Sequence, residues 1–327
     1  MKPALSVIFL TTLSGAAQGL FLALFTAQSY ALFGLLPAGQ GEPRFYALGA
    51  GVALALLGAG LLASFFHLGR PERAWRAAAM WRTSWLSREV IVLPAFMTVV
   101  ALYGLSHGLQ WKFALATLAS GGVVDVPVLL GVVGTLLAFA LFVCTAMIYA
   151  CLPFLREWHS PLTVVNYVLL GGASGFTLAG ALAISAAPQL ARFYIGWAII
   201  ITLLAFISRG ASLLRNRRLK PKSTLQTAIG IKHPRIVQKS MGFMGGSFNT
   251  REFFHGQSAP ALRWVQAVFL AGAFVLPLLL LATAFWSNAS GTLPLAFAVQ
   301  YLGLLAERWS FFAQANHPQN LYYQAIA

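Results

Sequence analysis

Long apolar runs alternate with short polar or basic stretches along the whole chain. Most of these runs reach about 20 residues, the length that an α-helix needs to cross the hydrocarbon core of a bilayer. The pattern therefore predicts an all-α, polytopic membrane protein, a single transmembrane domain over residues 1–327 built as a bundle of eight helices. The predicted spans are roughly 5–34, 46–67, 89–108, 127–151, 161–186, 193–210, 260–286 and 292–313.

Glycine and proline mark irregular points in this pattern. Pro277 lies inside the seventh run and is expected to kink that helix, with a neighbouring group satisfying the freed carbonyl. Segment 109–126 is apolar but short and broken by Gly121, so it predicts an interfacial or re-entrant piece rather than a ninth span. Gly171 and Gly175 form a GxxxG pair, which is most simply explained by close packing between helices of the same chain.

Composition strengthens the membrane assignment. Only 9% of the 327 residues are charged and 59% are hydrophobic, whereas soluble domains average about 25% charged residues. The net charge of +15 does not indicate nucleic-acid binding, because the cations lie in loops between apolar runs. The chain begins like a signal peptide, but its apolar run continues to Phe33, so we interpret it as an uncleaved first span.

Charge asymmetry between the loops predicts the orientation. Eight crossings put both termini on one side, together with loops 68–88, 152–160 and 211–259. That side carries 19 of the 22 lysines and arginines, so the positive-inside rule makes it cytoplasmic. The basic loop 211–259 is open to two interpretations, a solvated run near anionic lipid headgroups or a docking surface for a cytoplasmic partner.

Several kinds of chemistry find no support in the sequence. It contains no Walker A, GxSxG or HExxH motif, and its histidines lie at helix ends or in loops, which disfavours a bis-histidine haem. Cys144 and Cys151, seven residues apart in one apolar run, are interpreted as small buried residues. Within the predicted helices the only acids are Glu89 and Glu307, near cytoplasmic ends, and no internal repeat is evident. Both observations argue against a pump or transporter.

One loop concentrates the candidate chemistry. The second and third spans are joined by HLGRPERAWRAAAMWRTSWLSRE (67–89), which contains five arginines and three tryptophans. A quinone needs an apolar slot and polar groups that exchange protons at its carbonyls, and histidine and a partly buried glutamate suit that role. We therefore propose a quinone site at this water boundary, with Trp85 as a ring wall. The alternative is that His67 and Glu89 cap helices and pair with loop arginines. The candidate residues are His67, Arg70, Trp85, Arg88 and Glu89.

The same motif resembles the loop of the anchor subunits of dimethyl sulfoxide reductases. The opening MKPALSVIFLTTLSGAAQGLFLALF (1–25) and the tail RWSFFAQANHPQNLYY (308–323) are similar to that family as well. The family also includes the membrane subunits of cytoplasmic sulfite-oxidising, quinone-reducing complexes. The resemblance therefore extends over most of the chain.

The resemblance implies partners and cofactors that the residues alone do not. It implies an eight-helix subunit without haem or cluster in the bacterial inner (cytoplasmic) membrane. This subunit anchors a ferredoxin-like iron–sulfur subunit with four [4Fe–4S] clusters and, through it, a molybdenum catalytic subunit with a bis-pterin cofactor. It also implies exchange of electrons with ubiquinone or menaquinone, with His67 and Glu89 at the positions tied to quinol binding; the roles of Arg70, Trp85 and Arg88 are our inference.

The direction of electron flow has two candidate answers. A cytoplasmic docking face favours a sulfite dehydrogenase that passes electrons to quinone. The alternative is a quinol-oxidising anchor of a reductase of dimethyl sulfoxide or a related S- or N-oxide, and a further alternative is a purely structural anchor.

Overall fold

In the part of the chain that is described, ten α-helices and one small hairpin are joined by short 3₁₀ segments and a π segment. The structure, a computed structural model, describes residues 1–36, 43–111, 113–118, 121–221, 223–237, 239, 253–287 and 290–322. The helices are α1 (Leu5–Leu32), α2 (Pro43–Phe65), α3 (Trp85–Gly108), α4 (Val126–Ala150), α5 (Pro161–Ala186), α6 (Pro188–Arg217), α7 (Leu225–Ile229), α8 (Ala259–Leu270), α9 (Leu276–Ser287) and α10 (Leu293–Gln314).

Seven helical segments in the described ranges are long and apolar enough to cross a membrane. They are α1 to α6 and the continuous segment Ala259–Ser287 that contains α8 and α9. The eighth predicted span corresponds to α10, which has 22 residues but is outside this set of seven. Its hydropathy is reduced by Gln300, Glu307 and Arg308, so the multi-pass membrane class is confirmed and eight crossings stay a prediction.

The most buried of the long helices is α1, which lies at the centre of the bundle. Of its most apolar stretch, 72% is buried within the protein, and it packs against α2, α4, α5 and α10. Polar residues also face this interior: Thr11, Thr12, Ser14 and Gln18 are all buried. The start of α1 lies beside the end of α10, where the Met1 amino group donates to the Ala315 carbonyl over 2.8 Å.

Glycines allow α1 and α5 to pack backbone against backbone. A Cβ atom added at Gly175 would lie only 2.0 Å from the Gly19 carbonyl carbon, and one added at Gly19 would lie 2.0 Å from the Gly171 carbonyl oxygen. The predicted GxxxG pair therefore serves packing within the chain, and this interpretation is confirmed. Without these glycines α1 and α5 would have to separate.

A π-turn interrupts the segment that contains Pro277. The turn spans Ala271–Val275 between α8 and α9, directly before the proline. Proline has no N–H to donate to the carbonyl of Ala273, four residues earlier. That carbonyl accepts a hydrogen bond from the Gln300 side chain at 3.5 Å. The sequence therefore located the irregularity, and a neighbouring helix supplies the partner that a membrane helix requires.

The connection between α3 and α4 contains strands that the sequence analysis did not specify, and its predicted interfacial or re-entrant position stays a prediction. Its described part forms a two-stranded antiparallel hairpin, β1 (Ala114–Thr117) paired with β2 (Val123–Asp125). The β-branched residues Thr117, Val123 and Val124 favour strands, and Gly121, whose φ is +81°, favours a turn between them. The Asp125 carboxylate then accepts from the Val128 N–H at 3.1 Å and caps α4. Segment 109–126 is thus a hairpin, although the expectation that it adds no further span is consistent with the structure.

The α1–α5 contact gives a direct test of the packing. We expect Gly175→Ala to destabilise the protein by about 1–3 kcal/mol, because its methyl group overlaps backbone atoms that cannot turn away. Thermal unfolding of the detergent-purified protein would show a lower midpoint. Gly196→Ala is the matched control, since a methyl group there meets nothing within 4 Å. Equal midpoints for the two variants would show that α1 and α5 are not closely packed at this point.

Candidate functional site

The arginine- and tryptophan-rich loop lies at the surface between α2 and α3. Its central part, Pro71–Met80, winds as a 3₁₀-helix with no buried residue. Trp75, Met80 and Trp81 have 71%, 62% and 53% of their surface exposed. Ser84 ends the loop and caps α3 by accepting from the Ser87 N–H at 3.3 Å. The loop therefore presents large side chains outward rather than burying them.

Arg88 fixes the end of this loop. Its Nε donates to the Trp81 carbonyl at 2.9 Å and its Nη2 donates to the Arg82 carbonyl at 2.8 Å. The same guanidinium group lies 4.2 Å from the centre of the Trp85 ring, a cation–π geometry. Arg88 and Trp85 are therefore brought together, and one face of the predicted ring wall is covered by the guanidinium group.

Glu89 points the other way, into the bundle. It is buried, with 9% of its surface exposed, and its Oε1 accepts from the Thr145 hydroxyl at 2.5 Å. Thr145 belongs to α4, so this bond joins α3 to α4. The alternative that Glu89 pairs with loop arginines is wrong, because the only polar side-chain partner seen for its carboxyl group in the described residues is Thr145.

His67 and Arg70 are exposed where the chain leaves α2. Within the described residues neither side chain has a hydrogen-bond partner, and His67 is bound only through its backbone N–H, to the Ser64 carbonyl at 3.3 Å. Partial loss of water contact lowers the pKa of His67 below its ordinary value of 6.5. The imidazole is therefore neutral near pH 7 and offers one N–H donor and one nitrogen acceptor.

A buried cluster of charges was not expected from the sequence. Arg209 Nε lies 2.7 Å from one carboxylate oxygen of Glu307, and Arg308 Nε lies 2.5 Å from the other. All three side chains are at most 5% exposed. The Arg308 guanidinium also lies 4.3 Å from the centre of the Tyr167 ring. The cluster thereby joins α6 to α10 and α10 to α5.

This cluster corrects the charge assignment made from the sequence. Arg209 and Arg308 were counted as cations of the cytoplasmic surface, whereas the structure buries both around Glu307. The available signal was an acid next to an arginine inside an apolar helix, with a second arginine in another apolar helix. That signal does not say which helices are neighbours. The membrane helices therefore contain more buried charge than the sequence analysis expected. Buried charges in such helices mark functional or structural centres.

The cysteines show a smaller difference. Both are free thiols, and Cys144 is buried as expected, but Cys151 is exposed. Cys151 follows the last residue of α4, where the chain turns outward. In the part of the chain that is described, no three histidine, cysteine, aspartate or glutamate side chains come together as metal ligands.

These features define a class: a multi-pass membrane protein whose exposed loop and buried carboxyl group meet at one end of the helix bundle. The chain belongs to the dimethyl sulfoxide reductase anchor subunit family, whose model matches residues 1–297. It is also 58% identical, over 327 residues and the whole of both chains, to a sulfite dehydrogenase subunit of Allochromatium vinosum. The protein is therefore a membrane anchor subunit of the molybdenum oxidoreductase family.

The role of Arg88 in fixing the loop can be tested by amide exchange. We expect Arg88→Gln to speed hydrogen–deuterium exchange in residues 71–84 severalfold, because the loop loses two carbonyl contacts and the ring contact with Trp85. Arg73→Gln is the matched control, since Arg73 makes only an exposed 3.8 Å contact with Glu72. Unchanged exchange in Arg88→Gln would show that other contacts hold the loop.

The buried cluster predicts a large stability effect. We expect Glu307→Gln to destabilise the folded protein by about 3–5 kcal/mol, because it leaves two buried guanidinium groups without a counter-charge. Glu72→Gln, which changes an exposed carboxylate, is expected to leave thermal unfolding in detergent unchanged. A Glu307→Gln midpoint equal to that of the parent protein would mean that the ion pairs contribute no net stability.

Proposed function

We propose that this protein is the quinone-reactive membrane anchor of a three-subunit molybdenum and iron–sulfur oxidoreductase, and that it passes electrons from cytoplasmic sulfite oxidation to quinone. The observation that carries the proposal is the placement of Glu89. Its carboxyl group is buried in the bundle, at the start of the helix that follows the exposed loop. His67 lies at the other end of that loop, directly after α2.

The proposed chemistry needs both residues. Reduction of a quinone consumes two electrons and two protons. A neutral His67 is suited to hydrogen-bond one quinone carbonyl and to give that oxygen its proton, and the Glu89 carboxyl group is suited to deliver the second proton at the other carbonyl. In this proposal Arg88 acts by holding the loop against Trp85, and the unpaired Arg70 side chain faces the quinone or the partner subunit.

The exposed loop is the proposed docking surface for a ferredoxin-like iron–sulfur subunit with [4Fe–4S] clusters, through which the molybdenum subunit is attached. Exposed tryptophan, methionine and arginine side chains are typical of the centres of protein interfaces. The described residues of loop 211–259 add a basic surface, on which Arg156 donates to the Lys220 carbonyl. The charge asymmetry of the loops supports a cytoplasmic docking face in the inner membrane.

Two facts favour sulfite as the electron source. The relative from Allochromatium vinosum, matched over its whole length, is by name a sulfite dehydrogenase subunit. The charge-rich side predicted to be cytoplasmic is also the side of the proposed quinone site. The alternative is the reverse flow, from quinol to a dimethyl sulfoxide reductase, for which the family name is the supporting observation. A purely structural anchor is the further alternative.

A reconstituted assay distinguishes these functions. We expect the purified complex to reduce a quinone analogue when sulfite is supplied, and His67→Ala and Glu89→Gln to lower the rate by at least about a hundredfold while the three subunits still co-purify. Glu72→Gln, an exposed acid in the same loop, is the matched control and is expected to keep the parent rate.

Other outcomes of this assay would contradict the proposal. Quinol-dependent reduction of dimethyl sulfoxide without sulfite oxidation would establish the reverse direction. Parent rates in both His67→Ala and Glu89→Gln would leave the protein as a structural anchor with the quinone bound elsewhere.

A further inference from the structure

A small cavity lies within the bundle, and Thr145, the hydrogen-bond partner of Glu89, is among the residues that line it. Its volume is about 30 Å³, enough for about two water molecules. Side chains of α1, α4, α5 and α10 line it, including Thr11, Ser14, Gln18, Thr145, Ser174 and Arg308. Apolar residues such as Phe142, Leu170 and Leu304 supply much of the lining, but its hydroxyl, amide and guanidinium groups are the partners that a buried water needs.

Gln18, one of the lining residues, has an atom that a cavity water would satisfy. Its side chain is only 1% exposed, and its Nε2 donates to the Ser14 carbonyl at 2.9 Å. Its Oε1 has no hydrogen-bond partner among the described residues. A buried amide oxygen without a partner carries a free-energy cost of about 1–3 kcal/mol, which a cavity water removes.

Thr145 connects this cavity to Glu89. Its hydroxyl lines the cavity and also donates to the Glu89 carboxyl group. A hydroxyl that donates one hydrogen bond still has lone pairs that accept another. Cavity water can therefore bond to the same oxygen atom that bonds to Glu89.

A second, smaller cavity shares the lining residue Arg308 with the first. It measures about 10 Å³, and its lining includes Asn166, Arg209, Ser212, Arg215 and Glu157. Because Glu157 and Arg215 are partly exposed, polar groups extend from Glu89 to the surface on the side of the two termini.

Arg308, which lines both cavities, belongs to a cluster with an excess of positive charge. Two guanidinium groups and one carboxylate give the Arg209, Glu307 and Arg308 cluster one positive charge in excess. An ionised Glu89 would balance the excess charge, and a neutral Glu89 is favoured by burial. A group that is to take up and release a proton needs both forms to be accessible.

We propose that the two cavities hold a water path that resupplies Glu89 with protons through the Thr145 hydroxyl. The inference rests on the proposed quinone function. For each quinone reduced, the iron–sulfur subunit supplies two electrons, Glu89 delivers one proton to the carbonyl oxygen that it faces, and the His67 imidazole delivers the second proton to the other oxygen and regains it from surface water. After each delivery the Thr145 hydroxyl gives its proton to the Glu89 carboxylate and takes another from cavity water, which is replenished from the surface. Thr145 is therefore a relay residue that does not touch the quinone.

The test uses the whole complex with sulfite and a quinone analogue. We expect Thr145→Val to lower kcat about tenfold or more, to leave KM for the quinone unchanged and to increase the solvent deuterium isotope effect. Thr145→Ser keeps the hydroxyl and is expected to restore the rate, which a purely packing role would not predict. Thr177→Val is the matched control, because Thr177 is buried on α5 and bonds only to its own helix.

Each outcome decides a separate point. If Thr145→Val does not assemble, Gln18→Leu, which removes polar lining from α1, is expected to lower kcat in the same way. If Thr145→Val and Gln18→Leu both have the same rate as the control Thr177→Val, the proposed relay is wrong. Should His67→Ala and Glu89→Gln also keep the parent rate, the quinone function itself fails. If His67→Ala and Glu89→Gln lose activity but Thr145→Val keeps the parent rate, the quinone site is supported and the proton relay through Thr145 is wrong.

Discussion

The buried pairing of Glu307 with Arg209 and Arg308 is the constraint on which the interior of the bundle depends. A charge removed from water is tolerated only when opposite charges and hydrogen bonds replace its hydration, and here three ionised groups come from two helices. Their geometry requires α6 and α10 to meet at this level. It also places the Arg308 guanidinium over the Tyr167 ring of α5. Polar residues of α1 then face this charged centre rather than lipid, which explains why α1 is both the most buried helix and rich in hydroxyl groups on its inner face.

The second constraint is the close approach of α1 and α5. At Gly19 and Gly175 the backbones of α1 and α5 are in contact, with no room for a side chain between them. The larger side chains of α1 and α5 that flank this contact therefore pack against other helices. One of these helices is α4, which carries Thr145 toward Glu89 on α3. The candidate site is therefore built from several helices, although its motif lies in one loop. Tight backbone packing and buried polar contacts act together here, as is common in membrane bundles, where helices gain little from excluding lipid.

The sequence predicted the helices well and the interior poorly. Apolar runs located most of the long helices to within about four residues, because hydropathy depends on neighbouring residues alone. The exception is α6, Pro188–Arg217, which extends beyond the predicted span 193–210 at both ends because its terminal turns are polar and basic. The motif located His67, Arg70, Trp85, Arg88 and Glu89, and the structure shows contacts for Arg88, Trp85 and Glu89 that the motif could not specify. Glu89 and Thr145 are 56 residues apart, and Arg209 and Glu307 are further apart still. Such pairs depend on which helices are neighbours, and a single sequence carries no signal for that. The hairpin at 114–125 was missed because its residues are as apolar as those of a membrane segment.

Arg88 and Glu89 are consecutive residues with opposite surroundings. The first is bonded to the backbone of the exposed loop, and the second is bonded inside the bundle. The peptide unit that joins these two residues is therefore fixed on one side by the exposed loop and on the other by Thr145 inside the bundle. Any partner that shifts the loop also displaces the residue before Glu89, and any change in the bonding of Glu89 is transmitted to the loop. Assembly and the position of the buried carboxyl group are mechanically linked, and the isolated subunit and the assembled complex need not hold that group in the same place.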